Sequence, residues 1–151
     1  MLATWAVNSE ADLILLDVVR ARLEGPDIVP AIRSLHERFR PDTIGIEATA
    51  FQLSIVQEAR RAGLPIKALR ADKDKVSRAL TAAARMEGGG VFFEAGATYL
   101  EALEGELTAF PAGRHDDTVD ALSYAATEVA LNDGPRIRVL RGPARPRRLS
   151  A

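Results

Sequence analysis

Four carboxylates carry the chemistry that the residue types of this sequence allow: Glu47, Asp116, Asp117 and Asp120. Glu47 ends a short apolar stretch, residues 43–47, that reads as a strand. Catalytic and ligand-binding groups in open α/β sheets gather outside the carboxyl ends of parallel strands. The three aspartates lie within five residues of a predicted helix, at spacings of three and four, and therefore share a face.

The residues alone leave two interpretations of these acids open. A helix N-terminus stabilises negative charge, which accounts for Asp116 and Asp117 without any ligand. It accounts less well for Asp120, in the second turn beside apolar neighbours. Glu47 can likewise be read as a solvated or helix-capping acid.

If the acids bind a metal, the ion is a hard divalent cation. The chain has no cysteine and only two histidines, and carboxylate oxygens suit Mg²⁺ or Mn²⁺. Carboxylates from a strand end and a helix start suit two-metal phosphodiester hydrolysis, with ions about 3.5–4 Å apart. Three acids so close in sequence also require positive charge among them.

Other kinds of site are excluded or weakly supported. The absence of cysteine excludes disulfides, thiolate-bound zinc and thiol catalysis. No glycine-rich phosphate loop of the Walker type is present, since residues 88–90 lack the following Lys-Ser/Thr. His36 is read as a surface residue. Without an apolar run of about 20 residues or a secretion signal, we expect no membrane contact and a cytoplasmic location.

Basic residues mark two segments. One predicted helix carries Lys73, Lys75, Arg78 and Arg85, which form either a solvated face or a phosphate-tracking surface. Six arginines and no acid follow Asp133, although the whole chain has a net charge of −1. This tail, residues 134–151, is predicted to be disordered and either binds nucleic acid nonspecifically or is simply a terminus. Residues 1–133 are predicted to form one domain.

Hydrophobic periodicity predicts the order β-β-α-β-α-β-α-β-α-α. A short turn at residues 8–10 predicts an antiparallel hairpin, and the alternation that follows predicts a parallel section. The result is an α/β fold with a mixed sheet flanked by helices. In the helix predicted over residues 72–87, the apolar side is expected to carry Val76, Ala79, Leu80 and Ala83.

Residues 110–121 read Phe-Pro-Ala-Gly-Arg-His-Asp-Asp-Thr-Val-Asp-Ala. This segment resembles the C-terminal signature of the large terminase subunit of tailed phages and prophages. Residues 16–20, residues 41–47, the Asp-Lys-x-x-Arg segment at residues 74–78 and residues 91–93 match other parts of that family in order. The resemblance covers roughly residues 2–131.

The resemblance implies an RNase H-like nuclease that cuts concatemeric double-stranded DNA with Mg²⁺ or Mn²⁺. Glu47 would be the second catalytic acid, Asp116 or Asp117 or both the third, and Asp120 either a supporting ligand or a group that orients the ligands.

The resemblance also implies contacts beyond the metal. Lys75, Arg78 and His115 would lie near the DNA. The expected partners are the terminase ATPase domain, the small terminase subunit and the portal.

One family feature has no counterpart in the sequence. The first catalytic acid of the family lies on a strand preceding the one that here starts at Leu2, and neither Asp12 nor Asp17 matches it. We therefore expect the sheet to lack its usual central first strand and the isolated chain to cleave DNA poorly. The alternatives are a catalytically dead prophage fragment that only binds DNA or motor partners, and another RNase H-like nuclease such as a junction resolvase.

Overall fold

The computed structural model describes residues 1–50, 52–70, 75–113 and 117–131. The elements follow the predicted order. The strands are β1 (Leu2–Val7), β2 (Leu13–Val19), β3 (Ile44–Glu47), β4 (Ile66–Leu69) and β5 (Val91–Phe93). The helices are α1 (Gly25–Phe39), α2 (Gln52–Arg61), α3 (Lys75–Glu87), α4 (Leu100–Ala109) and α5 (Asp117–Leu131). The predicted basic tail lies outside the described residues.

The chain divides into two compact units. Unit 1 is Met1–Arg20 with Asp74–Ala151, and unit 2 is Ala21–Lys73. Unit 1 contains a sheet of order β1-β2-β5, and unit 2 contains the pair β3-β4. Among the described residues, no strand is hydrogen-bonded to both sheets.

The sheet of unit 1 is mixed, as predicted. β1 and β2 form the antiparallel hairpin, and β5 joins β2 in parallel register. In the hairpin turn the side-chain oxygen of Asn8 accepts the backbone N–H groups of Glu10 and Asp12 at 3.0 and 2.8 Å. Ala11 then takes a left-handed conformation with φ of 63°. The turn therefore closes through local hydrogen bonds of the kind that asparagine favours.

The core of unit 1 lies between this sheet and helices α3, α4 and α5. It is a cluster of buried apolar side chains: Leu13, Leu15, Ala82, Val91, Phe93, Leu103, Leu122 and Ala126. Trp5 meets Phe93 edge to face, with ring centroids 6.5 Å apart. Burial of each large side chain contributes about 1.5–3 kcal/mol. This core holds the start of α5 against the sheet.

Unit 2 is built on a parallel strand pair in which Ile44 lies opposite Ile66 and Glu47 opposite Leu69. Helix α2 packs against both strands and against α1. Its end is set by Gly63, whose φ of 79° is a left-handed value that suits glycine. The buried side chains of the unit include Val29, Ile32, Ile55, Val56, Ala59, Leu64 and Leu69.

One sequence expectation was wrong. Of the predicted apolar side of α3, Ala79 is buried as expected, but Leu80 and Val76 are 63% and 49% accessible and Ala83 is exposed. The buried residues of the helix are Arg78, Ala79 and Ala82. The small alanine side chains allow close packing of α3 on α5, whereas larger apolar residues would hold the helices apart. In the described ranges no helix is long and apolar enough to cross a membrane.

Candidate functional site

Glu47 ends β3 and is half-buried. It lies at the carboxyl end of a parallel strand, the position predicted for it, in register with Leu69. The backbone N–H of Ala48 donates to the Leu69 carbonyl at 2.7 Å, so pairing continues one residue past the acid. The backbone that carries Glu47 is thereby held by the neighbouring strand.

The segment after Glu47 turns directly into helix α2. The Thr49 hydroxyl donates to Gln52 Oε1 at 2.8 Å, and the Thr49 backbone N–H approaches the same oxygen at 3.4 Å. A threonine followed three residues later by glutamine is the residue pattern of a capping box.

The other candidate acids belong to unit 1. Asp117 is the first residue of α5 and is exposed, and Asp120 follows one turn later and is partly buried. The predicted site residues Asp116 and His115 lie outside the described residues. The first turn of α5 therefore presents at least one of the predicted acids to solvent.

Two cationic side chains lie beside Asp120, as expected where several acids are close in sequence and repel one another. Lys75 Nζ lies 2.9 Å from Asp120 Oδ2, and an Arg78 guanidinium nitrogen lies 3.5 Å from Oδ1. The Arg78 guanidinium also stacks over the Tyr124 ring, 5.0 Å from its centroid. Two predicted DNA-binding residues and one predicted metal-supporting residue thus form a single ion-paired cluster between α3 and α5.

Sequence reasoning missed a second polar cluster at the start of α5, formed by Arg20, Glu106 and Thr118. Arg20 lies 2.6 Å from Glu106 Oε1 through one guanidinium nitrogen and 2.5 Å from the Thr118 hydroxyl oxygen through the other. The backbone N–H of Thr118 donates to Glu106 Oε2 at 2.8 Å. A signal existed in the sequence, since Glu106 follows the buried Leu103 by three residues and must share its face.

The charge of Glu106 is stabilised by these partners. Burial works to raise the pKa of the carboxyl group, but hydrogen bonds from Arg20 and Thr118 outweigh it and hold the pKa below its ordinary value. The group is therefore a carboxylate at neutral pH, with both oxygens occupied.

The candidate acids suit a metal by donor type. Glu47, Asp117 and Asp120 offer only carboxylate oxygens, the ligands that Mg²⁺ and Mn²⁺ prefer. Across the part of the chain that the structure describes, no group of three acidic or histidine residues is close enough to hold an ion.

The comparison with protein families gives one match. The model of the terminase RNase H-like domain matches residues 10–128, which include Glu47, Lys75 and Arg78 of α3, and the start of α5. No curated protein and no solved structure matches significantly. The matched span is most of the chain and contains the segments whose order and motifs suggested this lineage. The chain therefore belongs to the family of terminase RNase H-like domains.

Proposed function

We propose that the chain is a metal-dependent endonuclease that cuts concatemeric double-stranded DNA during phage DNA packaging. The observation that carries the proposal is the start of α5, where Asp117 is exposed and Asp120 is bound by Lys75 and Arg78. A nuclease on DNA needs acids to hold cations and bases to neutralise phosphates at one place. This arrangement occurs in a chain of the terminase family.

In this proposal the residues divide by role. Glu47, Asp117 and Asp116 would hold Mg²⁺ or Mn²⁺, which when bound supplies an activated water and stabilises the leaving oxygen. Asp120 supports the site by fixing Lys75 and Arg78. The carboxylate of Asp117 is free to reorient toward an ion because its side chain is exposed.

Lys75 and Arg78 of α3 would contribute to DNA binding in different ways. The Lys75 side chain is 37% exposed and the Arg78 side chain only 10%. Lys75 can reach a phosphate. Arg78 mainly stabilises the packing of α3 on α5 through its contacts with Asp120 and Tyr124. In packaging, the partners would be the terminase ATPase domain, the small subunit and the portal, in the cytoplasm of the bacterial host.

The test is cleavage of plasmid DNA by the purified chain with Mn²⁺, with Mg²⁺ and with EDTA. We expect weak cleavage that requires the metal and that falls to the level seen with EDTA in Glu47→Gln and in Asp117→Asn. Glu58→Gln in α2 and Glu104→Gln in α4 are matched controls, because both acids are exposed and outside the candidate set.

Two results would overturn the proposal. Cleavage unaffected by EDTA or by both acid substitutions would exclude these carboxylates from the reaction. DNA binding without cleavage, equal with and without Mn²⁺, would instead indicate the alternative of a binding-only chain. Preferential cutting of four-way junctions would favour a junction resolvase.

A further inference from the structure

The cluster of Arg20, Glu106 and Thr118 joins three elements that are far apart in sequence. Arg20 follows β2, Glu106 lies in α4 and Thr118 is the second residue of α5. Glu106 and Thr118 are only 7% and 1% exposed. Both carboxylate oxygens of Glu106 are used, one by Arg20 and the other by the Thr118 backbone. The three groups therefore form a closed ring of charge-assisted hydrogen bonds, the stronger kind in proteins.

The ring acts on the peptide group next to a candidate catalytic acid. The first N–H groups of a helix have no partner inside the helix and are usually capped by a residue just before it. Here the acceptor for Thr118 comes from α4, twelve residues earlier. The N–H that Glu106 accepts belongs to the peptide bond between Asp117 and Thr118. Glu106 thereby fixes the orientation of the backbone from which the Asp117 side chain projects.

Burying the Glu106 carboxylate costs free energy that an apolar side chain of similar size would not cost. The free-energy cost of removing a charged pair from water is offset only when both groups make good hydrogen bonds. A protein in which apolar side chains replace such a pair is often equally stable. Arg20 and Thr118 provide those bonds, at 2.5–2.8 Å. What an apolar side chain could not provide is a directed acceptor for the Thr118 N–H, so the distinctive effect of Glu106 is on orientation.

We propose that Glu106, held by Arg20, is a positioning residue that sets the first turn of α5 so that Asp117 can bind the divalent cation. This inference rests on the proposed function, in which Asp117 is a metal ligand. Glu106 acts through the Asp117–Thr118 peptide group and touches neither metal nor DNA. Partners that orient metal ligands typically change metal affinity about 10–100-fold when they are removed.

The test measures Mn²⁺ affinity by calorimetry for the full chain and four variants. Asp117→Asn defines the binding that depends on the acid. Glu106→Ala removes the acceptor, and Glu106→Gln keeps one neutral oxygen for the Thr118 N–H. Leu103→Val is the matched control, because it loosens the buried face of the same helix without touching the carboxylate. Each chain is titrated at a temperature where circular dichroism shows it fully folded.

We expect Glu106→Ala to weaken Mn²⁺ binding about 10–100-fold, Glu106→Gln to weaken it less, and Leu103→Val to leave it unchanged. Loss of amide protection at Thr118 in Glu106→Ala alone would accompany this result. Equal Mn²⁺ affinity in wild type and both Glu106 variants would overturn the positioning role while leaving the proposed function standing. An equal loss of Mn²⁺ affinity in Leu103→Val would also overturn the positioning role, because any loosening of α4 would then be enough to weaken metal binding. Wild-type chain with no Asp117-dependent Mn²⁺ binding would overturn both proposals together.

Discussion

Lys75 Nζ lies 2.9 Å from Asp120 Oδ2, which ties the first residue of α3 to the first turns of α5. Arg78 approaches the other oxygen of the same carboxylate at 3.5 Å. Asp120 is therefore shared between two cationic side chains. Its most direct role is to hold the basic residues of α3 beside the acids of α5.

Asp120→Asn should loosen the contact between α3 and α5 while sparing the metal. The substitution removes the charge that pairs with Lys75 and Arg78, and partly exposed pairs of this kind contribute about 1 kcal/mol or less. We expect a small fall in the unfolding free energy, measured by urea denaturation. We also expect Mn²⁺ affinity to stay within about threefold of wild type, well short of the 10–100-fold effect of removing a group that orients a ligand. Asp117→Asn is the comparison, and a loss of Mn²⁺ binding in Asp120→Asn as large as in Asp117→Asn would show that Asp120 is itself a ligand.

Glu106 should make unit 1 sensitive to acid. Because hydrogen bonds from Arg20 and Thr118 hold its folded-state pKa below the ordinary value, its stabilising effect is fully present above the ordinary glutamate pKa and is lost as the pH falls through the lower, folded-state pKa. At pH 7, Glu106→Gln should cost about 1–3 kcal/mol, since the buried N–H of Thr118 and the partly exposed guanidinium of Arg20 lose a charged acceptor. Urea denaturation at several pH values should show this difference shrinking as acid protonates wild-type Glu106. A difference that stays constant down to pH 2 would contradict the assignment.

The element order, the hairpin and the strand-end position of Glu47 were predictable because each depends on residues close in sequence. Periodicity and turn residues carry that local information. The ring around Glu106 was not predictable in the same way, because Arg20 and Thr118 lie 98 positions apart and meet only through the fold. Sequence could show that Glu106 shares a face with Leu103, but it could not name the donors.

The buried side of α3 was mispredicted for a related reason. Val76 and Leu80 are apolar and helically spaced, so composition favoured them as the core face. Of that predicted side the structure buries Ala79, and it buries Ala82 and Arg78 beside it against α5. Arg78 can be buried because Asp120 pairs with it and Tyr124 lies beneath it, and both partners belong to another helix. A prediction from residue type alone cannot include such partners.

Two glycines should respond in opposite directions to alanine. A Cβ at Gly45 would lie 2.6 Å from Leu69 Cδ1 and 3.2 Å from its Cγ, and Leu69 is buried. Gly45→Ala should therefore destabilise unit 2 by about 1 kcal/mol through overpacking. A Cβ at Gly105 would meet nothing within 4 Å in the exposed part of α4, so Gly105→Ala should stabilise the chain by about 0.5–1 kcal/mol. Thermal unfolding of both variants checks the signs, and a stabilising Gly45→Ala would show that Leu69 moves aside without cost.

Lys75 and Arg78 should differ in how they affect DNA binding. A lysine that neutralises one phosphate adds about 0.9 to the slope of log affinity against log salt concentration. Lys75→Gln should lower that slope by about this amount and leave the melting temperature nearly unchanged, because its side chain is substantially exposed. Arg78→Gln should lower the melting temperature, since the guanidinium is packed between Asp120 and Tyr124, and should change the slope less. Arg33→Gln, an exposed arginine on α1, controls for the loss of one positive charge. If the slopes of Lys75→Gln and Arg33→Gln fall equally, DNA affinity depends on the net charge of the chain, and Lys75 makes no specific contact with a phosphate.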